Sequence, residues 1–484
     1  MSGGGALTGG RLVPFIIGAA LFMQTLDATV IANALPTMAA SLKVDAVTLS
    51  LAITSYIIST AVFLPVSGWL ADRFGARSVF ALAIVGFALS SLICGVAQTL
   101  PELILGRVVQ GVAGAMMTPV GRLVLLRTVP KAELVQAMAA LTMPALLGPV
   151  IGPPLGGFIV TYSSWRWIFF INLPMGVLGV VLTCLYIPNI REDGTARLDW
   201  TGFVLTGIGL AGLVYGLDNL GKGVIPLPAV LAMLAIGVVC LALYAAHAAR
   251  TPNAILDLSL LRQPTFLAAT VGGIFSRLAI GANPFLLALL FQIGFGMSAF
   301  AAGLLTFASA AGALVMKTAA PPIIRHFGYR RILIGNTLLT AAIFMGYALF
   351  QSDSSRIVIT LALLIGGFFR SLQFTCLGTL AFADVPQSLM SRASSLSSIG
   401  QQLARSFGVA LAALLVQAAQ SWHGRAALTA TDVAPAFVVI GALTLPSLLF
   451  FIPLAADAGE SIRGGPTVPR PTKTAGAEPR PAEL

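Results

Sequence analysis

The carboxylate side chain of Asp27 lies within an apolar run at about residues 12–36. An ionisable group inside such a run is costly to bury and is by default a sign of function. Burial favours the protonated form of a carboxyl group, whereas a neighbouring cation favours the ionised form. A carboxylate whose surroundings alternate between two conformations can therefore bind and release a proton. The alternative is a structural carboxylate that caps or pairs with a neighbouring helix.

A second charged residue, Arg107, lies near the start of the apolar run at about 101–126. Gln110 follows at i+3, which puts both polar side chains on one helix face. Asp27 is about fifteen residues, or roughly 22 Å, along its own helix, so the two residues can reach a similar depth. The sequence thus permits a pair in which protonation of Asp27 would release Arg107. Alternatively, Arg107 binds a backbone carbonyl and holds helices together.

Cations outnumber acids in the remaining apolar runs, where Asp218 is the other clear acid. Arg277 and Arg370 lie well inside such runs, whereas Arg122 and Lys317 could extend towards a membrane interface. Because Arg binds carboxylates bidentately, an anionic substrate is one interpretation. A mostly apolar cavity with few polar anchors fits hydrophobic drugs equally well. The residues expected to line a substrate cavity are Gln24, Asn33, Gln110, Arg277, Asn283, Arg370, Gln373, Gln401 and Arg405.

The sequence contains no recognisable catalytic pattern. Its three histidines lie at the ends of apolar runs or in loops, and its four cysteines are far apart, without metal-ligand spacing. The GxxxxGK[ST] phosphate loop is absent, so transport driven by ATP hydrolysis within this chain is not expected. We therefore expect neither enzyme activity, nor a metal, nor a cofactor. The energy source should be an ion gradient, and the small number of acids favours protons.

Composition identifies the solvent around this chain. Of its 484 residues, 57% are hydrophobic and only 9% are charged, whereas a soluble domain carries roughly 25% charged residues. Single soluble cores stop growing near roughly 250 to 300 residues, so a giant buried core is excluded and lipid must surround the chain. The net charge of +11 does not indicate nucleic-acid binding, because the basic residues lie singly between apolar runs.

A helix that crosses a bilayer needs about 20 apolar residues, and fourteen runs of that length can be distinguished. Lys and Arg are concentrated in one set of alternate loops, which the positive-inside rule assigns to the cytoplasm. An even number of spans with both termini cytoplasmic satisfies this bias. The predicted spans are residues 12–36, 47–71, 79–98, 101–126, 134–161, 166–188, 200–218, 226–247, 265–293, 299–322, 331–350, 356–382, 390–419 and 433–455.

An internal repeat divides these spans. The segment DRFGAR at 72–77 closes the second span, and RHFGYR at 325–330 closes the tenth. If two extra spans are set aside, each segment is the loop after the second helix of a six-helix half. Repeated halves of this kind are typical of secondary transporters. The predicted organisation is a first half at 1–190, a linker with two extra spans at 191–262, a second half at 263–456 and a disordered cytoplasmic tail at 457–484.

The loop GWLADRFGAR at 68–77 resembles the signature between spans two and three of the major facilitator superfamily. Gly68 permits close helix approach and Gly75 permits a tight turn. Asp72, Arg73 and Arg77 could form charge-assisted bonds across a cytoplasmic gate. The alternative is an ordinary loop whose basic residues only set the topology.

Further segments resemble the fourteen-span drug:proton antiporter branch of that superfamily. They are LDATVIANALP at 26–36, RVVQGVAGA at 107–115, GPVIGPPLGG at 148–157 and WRWIFFINLPMG at 165–176. The resemblance implies a major facilitator fold with fourteen spans in a 6+2+6 arrangement. It also implies a monomer in the lipid bilayer that exchanges protons for small molecules.

Glycines recur every four residues along the fifth span and would form one flat helix face that a neighbouring backbone can approach. Prolines in the same segment remove backbone donors and favour a bend. The resemblance implies a moving gate, although static helix packing would need the same glycines. The residues assigned to this element are Gly148, Pro149, Gly152, Pro153, Gly156 and Gly157.

Three functions come into consideration for such a chain. The first is proton-coupled, multidrug-type efflux of small molecules by alternating access across a bacterial cytoplasmic (inner) membrane. The second keeps this fold but exports a specific organic anion, such as a carboxylate metabolite. The third is a membrane-embedded enzyme or sensor, which would need a catalytic cluster or a soluble domain, and the sequence shows neither.

Overall fold

The computed structural model describes residues 5–44, 46–191, 197–220, 225–424 and 428–463, and within these ranges all regular secondary structure is helical. Fourteen helical segments there are long and apolar enough to cross a membrane. A helix satisfies its own backbone donors and acceptors, which hydrocarbon cannot do. The predicted all-α membrane fold and the count of fourteen spans are confirmed.

The first six spans are built from eight helices. Two 3₁₀ segments, Leu64–Val66 and Lys131–Glu133, join α2 to α3 and lead into α6. The helices are α1 (Gly5–Leu42), α2 (Ala46–Phe63), α3 (Ser67–Phe74), α4 (Ala76–Val96), α5 (Leu100–Thr128), α6 (Leu134–Tyr162), α7 (Trp167–Phe170) and α8 (Asn172–Tyr186).

Two extra spans and a second set of six follow, which confirms the 6+2+6 arrangement. The extra spans are α9 (Trp200–Asn219) and α10 (Leu227–Ala248). In the ninth span, π-helical segments at Ala268–Gly272 and Leu289–Gly294 flank the main helix. The remaining helices are α11 (Pro264–Leu267), α12 (Gly273–Ala288), α13 (Ala299–Phe327), α14 (Tyr329–Gly346), α15 (Arg356–Leu380), α16 (Met390–Trp422), α17 (Ala430–Ala442), α18 (Leu448–Phe451) and α19 (Glu460–Arg463).

The repeated turn is present in both sets of six spans. Gly75 has a φ of 92° between α3 and α4, and Gly328 has a φ of 74° between α13 and α14. A side chain is strained in this left-handed region, which is why glycine occupies both positions. The tight turn predicted at Gly75 is confirmed, and Gly328 is its counterpart.

The buried apolar residues form three clusters. One cluster joins both sets of six spans on the side of the loops at 72–77, 127–133 and 325–331, which we call the basic face. Towards the opposite face, one cluster belongs to the first six spans alone and another to the last six alone. Within the described residues, apolar packing therefore holds the two sets together at the basic face and leaves them separately packed at the other.

The first extra span, α9, contacts both sets. Phe203 of α9 packs against Phe63 of α2, with 5.7 Å between ring centroids. Leu210 and Val214 line a small cavity that also contains residues of α2 and of α16, among them Leu403. The second extra span, α10, packs on α9 and is mostly exposed on its outer side. Thus α9 covers a lateral junction between the two sets.

The start of the predicted disordered tail is ordered. Residues Glu460–Arg463 form α19, and the side chain of Ile462 is fully buried. The hydroxyl of Ser461 donates to the carbonyl of Ala383 at 3.2 Å. The prediction of disorder from 457 is therefore wrong for 457–463, because one apolar residue at the right position suffices to dock a single turn. Residues 464–484 lie outside the described ranges.

Candidate functional site

Asp27 and Arg107 form a buried ion pair. Nη1 of Arg107 lies 2.7 Å from Oδ2 of Asp27, and the exposed fractions of the two side chains are 1% and 0%. The other carboxylate oxygen, Oδ1, accepts hydrogen bonds from the side-chain amides of Gln110 at 3.1 Å and Asn172 at 2.9 Å. The pair that the sequence permits is thus formed, and two amides complete it.

A second hydrogen-bonded shell surrounds this pair. The hydroxyl of Ser91 lies 2.7 Å from the amide nitrogen of Gln110 and 3.1 Å from that of Asn172. Asp27, Ser91, Gln110 and Asn172 come from α1, α4, α5 and α8 respectively. Four helices of the first set therefore meet at one carboxylate.

The guanidinium group of Arg107 is also held from α2. Its Nε donates to the carbonyl of Ala52 at 3.3 Å, and its Cζ lies 4.4 Å from the ring centroid of Tyr56. The hydroxyl of Tyr56 in turn accepts from the amide of Gln24 at 3.1 Å, and Gln24 accepts from the hydroxyl of Thr118 at 3.1 Å. A continuous polar chain thus leads from the ion pair along α1 and α5.

Proton binding at Asp27 would change this arrangement. A neutral carboxyl group no longer balances the charge of Arg107, and an unpaired buried charge is strongly destabilising. The guanidinium group would then depend on the carbonyl of Ala52, the side-chain oxygen of Gln110 and the ring of Tyr56. A proton on Asp27 would thus weaken the link between α1 and α5.

Two predicted cavity residues form part of this network. Gln110 is fully buried and hydrogen-bonds around the carboxylate, so it does not line an open cavity. Gln24 is half-buried and bridges Tyr56 and Thr118. A polar side chain in an apolar helix was assigned to the cavity, but it finds its partners within the first set. The side chain of Asn33 lies outside the described residues.

The predicted gate glycine, Gly68, lies where the two sets meet at the basic face. A Cβ atom at this position would lie 2.8 Å from the carbonyl oxygen of Ser391 and 2.9 Å from the hydroxyl of Ser395, both in α16. The hydroxyls of Ser67 and Ser395 are 3.0 Å apart. The close approach predicted for Gly68 is thus present, between α3 and α16.

Asp72 has partners other than its neighbours in sequence. Its carboxylate pairs with Arg127 of α5 at 2.8 Å and accepts a hydrogen bond from the hydroxyl of Ser391 in α16. Arg73 is exposed and Arg77 is half-buried, and neither forms an ion pair with a described residue. The bond from this loop to α16 is therefore carried by Asp72, whose ion-pair partner is Arg127.

The glycine face of α6 packs against α1. Gly148, Gly152 and Gly156 are buried, and a Cβ atom at Gly148 or Gly152 would clash with the side chain of Thr25 or Thr29. Gly157 has no neighbouring atom within 4 Å and does not belong to this contact. The three glycines thus set the approach of the helix that carries Asp27.

The proline in this helix exposes a carbonyl that α1 uses. Pro149 has no N–H for the carbonyl of Ala145, four residues earlier. The hydroxyl of Thr25 donates to that carbonyl at 3.0 Å. Pro149 therefore contributes to the contact between α1 and α6 through the acceptor it leaves unpaired. The side chain of Pro153 lies outside the described residues.

Gly148→Val should lower the stability of the purified protein, because the added atoms overlap the backbone and Thr25 of α1. Overpacking of this kind costs about 1–3 kcal/mol. Gly157→Val is the matched control and should leave the thermal unfolding midpoint in detergent almost unchanged. Equal midpoints for the two variants would show that the glycine face does not set the packing of α1 on α6.

A second polar network lies in the last six spans. The amide of Gln373 in α15 donates to the hydroxyls of Ser276 at 3.3 Å and Thr337 at 3.0 Å, and its carbonyl accepts from Asn336 at 2.8 Å. Gln373 was predicted to line a cavity, and it lines a small one together with Ser276, Thr340 and Arg370, while its hydrogen bonds join α12, α14 and α15. Its position resembles that of Gln110 in the first set.

The other predicted cavity residues differ in their surroundings. Arg370 is half-buried and donates to the hydroxyl of Ser309. Asn283 is buried, and its side-chain oxygen has no partner within the described part of the chain. Gln401 is buried and donates to Ser397 at 3.2 Å. Arg370 lines the same small cavity as Gln373, whereas Asn283 and Gln401 are not among the described residues that line it.

Two further arginines of the last set lie in α12 and α16. Arg277 is buried in α12, where its Nη1 donates to the carbonyl of Ala269 at 2.9 Å. Arg405 lies in the middle of α16 and is exposed. The packing of α12 on α16 is tight, since a Cβ atom at Gly281 would lie 2.8 Å from the Cα of Arg405.

Metal binding has no candidate among the described residues, where no three His, Cys, Asp or Glu side chains gather closely enough. His247 pairs with Asp199 at 2.9 Å, and His423 pairs with Asp432 at 2.6 Å. Both carboxylates also accept backbone N–H groups near the starts of α9 and α17. These pairs therefore have a capping role.

Four important residues were not selected from the sequence, namely Ser91, Asn172, Tyr56 and Arg127. Asn172 lies in the WRWIFFINLPMG segment, where it is the one amide side chain. Ser91 is an ordinary small residue in an apolar run, and Arg127 was counted among the basic loop residues. Of these four residues, only Asn172 had a recognisable signal in the sequence, namely an amide side chain inside a spanning run.

The sequence of this chain is similar to those of known proteins over most of its length. The Major Facilitator Superfamily profile matches residues 17–409. The chain is 39% identical over 440 residues to "Putative multidrug resistance protein MdtD" of Pectobacterium atrosepticum, covering 90% of this chain and 94% of the relative. It is 41% identical over 413 residues to the protein of the same name from Escherichia coli O6:H1, covering 84% and 87%.

Two solved structures share the fold. The human organic anion transporter MFSD10 superimposes with a TM-score of 0.62 at 17% identity, covering 91% of this chain and 99% of that one. The proton:xylose symporter XylE superimposes with a TM-score of 0.66 at 14% identity, covering 94% and 98%. At such low identity these two structures indicate the fold alone.

Proposed function

This chain belongs to the major facilitator superfamily, and from that premise we propose that it exports small molecules in exchange for protons by alternating access. The buried pair of Asp27 and Arg107 is the observation that carries this proposal. It is the one ion pair among the described residues whose two members are both almost completely buried within spans. The relatives named as multidrug resistance proteins support small-molecule efflux.

The coupling cycle follows from the two states of the pair, one with Asp27 ionised and bound to Arg107 and one with Asp27 protonated. A proton that reaches Asp27 from the side opposite the basic face releases Arg107, and the resulting shift of α1 and α5 opens the basic face. Substrate then enters, and loss of the proton to the cytoplasm restores the ion pair. The residues that separate during this change include Ser67 and Gly68 of α3 and their contacts Ser391 and Ser395 of α16.

The setting of the protein is part of the proposal. The basic face is assigned to the cytoplasm, with both termini there, in the inner membrane of a bacterium. The protein acts as a monomer in the bilayer, with the proton gradient as its energy source and without a cofactor or a nucleic-acid partner. The working units are the halves at 1–190 and 263–456, with the linker at 191–262 between them.

Proteoliposomes containing the full-length protein test this function. An imposed pH gradient should drive accumulation of a lipophilic cation or of an organic anion, and an ionophore that dissipates the gradient should stop it. Protein-free liposomes and liposomes containing the Asp27→Asn variant are the controls. Transport that continues unchanged after the pH gradient is removed would contradict proton coupling.

A second candidate substrate class is supported by a separate observation. Arg277 and Arg405 are cations within spans of the last set, and neither has an acidic partner among the described residues. This favours export of an organic anion such as a carboxylate metabolite over export of cations alone. Competition by carboxylates, but not by lipophilic cations, in the same vesicles would identify this class.

A further inference from the structure

The arginine–glutamine pair beside Asp27 recurs in the last six spans. Arg107 and Gln110 lie three residues apart in α5, the fourth span of the first set. Arg370 and Gln373 have the same spacing in α15, the fourth span of the last set. The glycine turns after the second span of each set follow the same repeat. The two pairs therefore occupy equivalent places in the two sets.

The two glutamines also have equivalent partners. The side-chain amide of Gln110 donates to Asp27 in the first span of its set at 3.1 Å and to a hydroxyl in the third span at 2.7 Å. The amide of Gln373 donates to Ser276 in the first span of its set at 3.3 Å and to Thr337 in the third span at 3.0 Å. Ser276 therefore stands where the first set has its carboxylate.

The arginine of the last set lacks a counter-charge. Arg370 donates to the hydroxyl of Ser309 in the second span of its set, as Arg107 donates to a carbonyl in α2. Arg107 also pairs with Asp27, whereas Arg370 forms no ion pair with a described carboxylate. A cation that is drawn into a helix bundle without a counter-charge destabilises the fold. The last set therefore repeats the site without its acid.

A small cavity lies where the counter-charge is missing. Its volume is about 20 Å³, and one water molecule needs roughly 10–15 Å³. Every described residue that lines it belongs to the last six spans, and none of these residues is acidic. The polar residues that line it are Ser276, Thr340, Tyr347, Arg370, Gln373 and Thr444. The cavity thus lies inside one set, and not between the two sets.

We propose that this cavity binds a chloride ion, which takes the place of the missing carboxylate. The N–H groups of Arg370 that do not bind Ser309 have no other partner among the described residues. The hydroxyl of Ser276 accepts from Gln373, and its own hydrogen has no acceptor in the described part of the chain. A guanidinium group and a hydroxyl can therefore both donate to one anion, and hydrogen bonds from a charged donor are the strong ones.

A monatomic anion suits the size of this cavity. A carboxylate group of a lipid or of an exported molecule has similar chemistry, but the rest of such a molecule needs far more space than about 20 Å³. Chloride would join Ser276 of α12 to Arg370 of α15 in the way that Asp27 joins α1 to α5. The bound ion should therefore stabilise the last set, whether or not the protein exchanges protons.

Thermal unfolding of the purified full-length protein in detergent tests this site. Chloride is raised at the expense of gluconate at constant ionic strength, and bromide replaces chloride in a parallel series. A ligand that binds only the folded protein raises the unfolding midpoint. We expect a rise of about 2–4 °C with either halide.

Arg370→Gln should lose this rise, because it removes the charge that holds the ion. Arg356→Gln is the matched control, since it removes an exposed arginine at the start of the same helix, and it should keep the rise in full. Equal midpoints of the original chain in chloride and in gluconate would overturn the site. So would equal halide responses of the two variants.

Ser276→Asp decides the question even where Arg370→Gln does not fold. This variant puts a carboxylate beside Arg370, so its midpoint without halide should reach that of the original chain in saturating chloride. Added chloride should then have no further effect. Ser276→Asn fills the same space without the charge and should lack this gain. A Ser276→Asp variant that responds to chloride as the original chain does would contradict the assignment.

Discussion

Asp27→Asn is expected to abolish transport driven by a pH gradient while the protein still inserts and folds. Asparagine is close in size to aspartate and can keep the hydrogen bonds to Gln110 and Asn172 through its side-chain oxygen. It cannot take up or release a proton near neutral pH, so the exchange between ion pair and neutral acid is lost. The measurement is pH-driven uptake of a lipophilic cation and of a carboxylate in proteoliposomes.

Stability must be measured in parallel, because this variant leaves Arg107 buried without its counter-charge. Breaking a buried ion pair by removing one partner costs about 3–5 kcal/mol. The double variant Asp27→Asn/Arg107→Gln should recover part of that stability without recovering transport. Such a result would separate the coupling role of Asp27 from its contribution to folding.

Asp432→Asn is the matched control for a buried carboxylate. Asp432 is fully buried, pairs with His423 and accepts the backbone N–H of Thr429 near the start of α17. Its substitution should lower stability yet leave proton-driven transport in the remaining folded protein. If Asp27→Asn transports as well as Asp432→Asn, Asp27 has no role in coupling.

The double substitution Ser67→Cys/Ser395→Cys is expected to lock the junction at the basic face. The two hydroxyl oxygens lie 3.0 Å apart, one in α3 and the other in α16. A disulfide between sulfur atoms at these positions would join the two sets of six spans where alternating access requires them to separate. Oxidation should therefore stop transport completely, and a reductant should restore it.

Each single cysteine variant serves as a control for this experiment, because Cys94, Cys184, Cys240 and Cys376 are free in the native chain. Oxidation of either single variant should leave transport unchanged. The cross-link is read independently as a mobility shift after proteolysis between the two sets. A quantitatively cross-linked protein that still transports would show that this junction does not open during the cycle.

The span count was predictable because the membrane imposes a strict requirement. Each crossing must be a helix of about 20 apolar residues, and the loops between crossings carry a charge bias. The turns at Gly75 and Gly328 were predictable for a related reason, since repeated DRFGAR and RHFGYR segments need the same backbone conformation. These features depend on residues that are close in sequence.

The ion pair was predictable in part. The depth of Asp27 and Arg107 in their spans follows from counting residues at 1.5 Å each, and equal depth permitted a pair. The partners Ser91 and Asn172 were not predictable, because they depend on how α4 and α8 are rotated about their axes. Helices surrounded by lipid are apolar on every side, so the sequence has little amphipathic pattern from which to read that rotation.

The list of cavity residues shows the same limit. Gln110 was assigned to a substrate cavity because it is a polar residue in an apolar span, yet it is fully buried in a network within its own set. Gln373 was assigned for the same reason, and it lines a small cavity together with Arg370. Arg405 is exposed where α16 faces α5, although nothing in the sequence distinguished it from Gln401. Which polar group bonds to protein and which faces open space is decided by neighbouring helices.

The sequence by itself determined the solvent of this chain, its fourteen spans, its repeat and the presence of one carboxylate deep in the first span. The tertiary structure alone decided that Arg107, Gln110 and Asn172 surround that carboxylate. It also decided that Asp72 binds Arg127 and that the two sets are closed at the basic face. The physical reason is range: hydropathy and turn geometry act along the chain, whereas charge pairing and packing act between helices far apart in sequence.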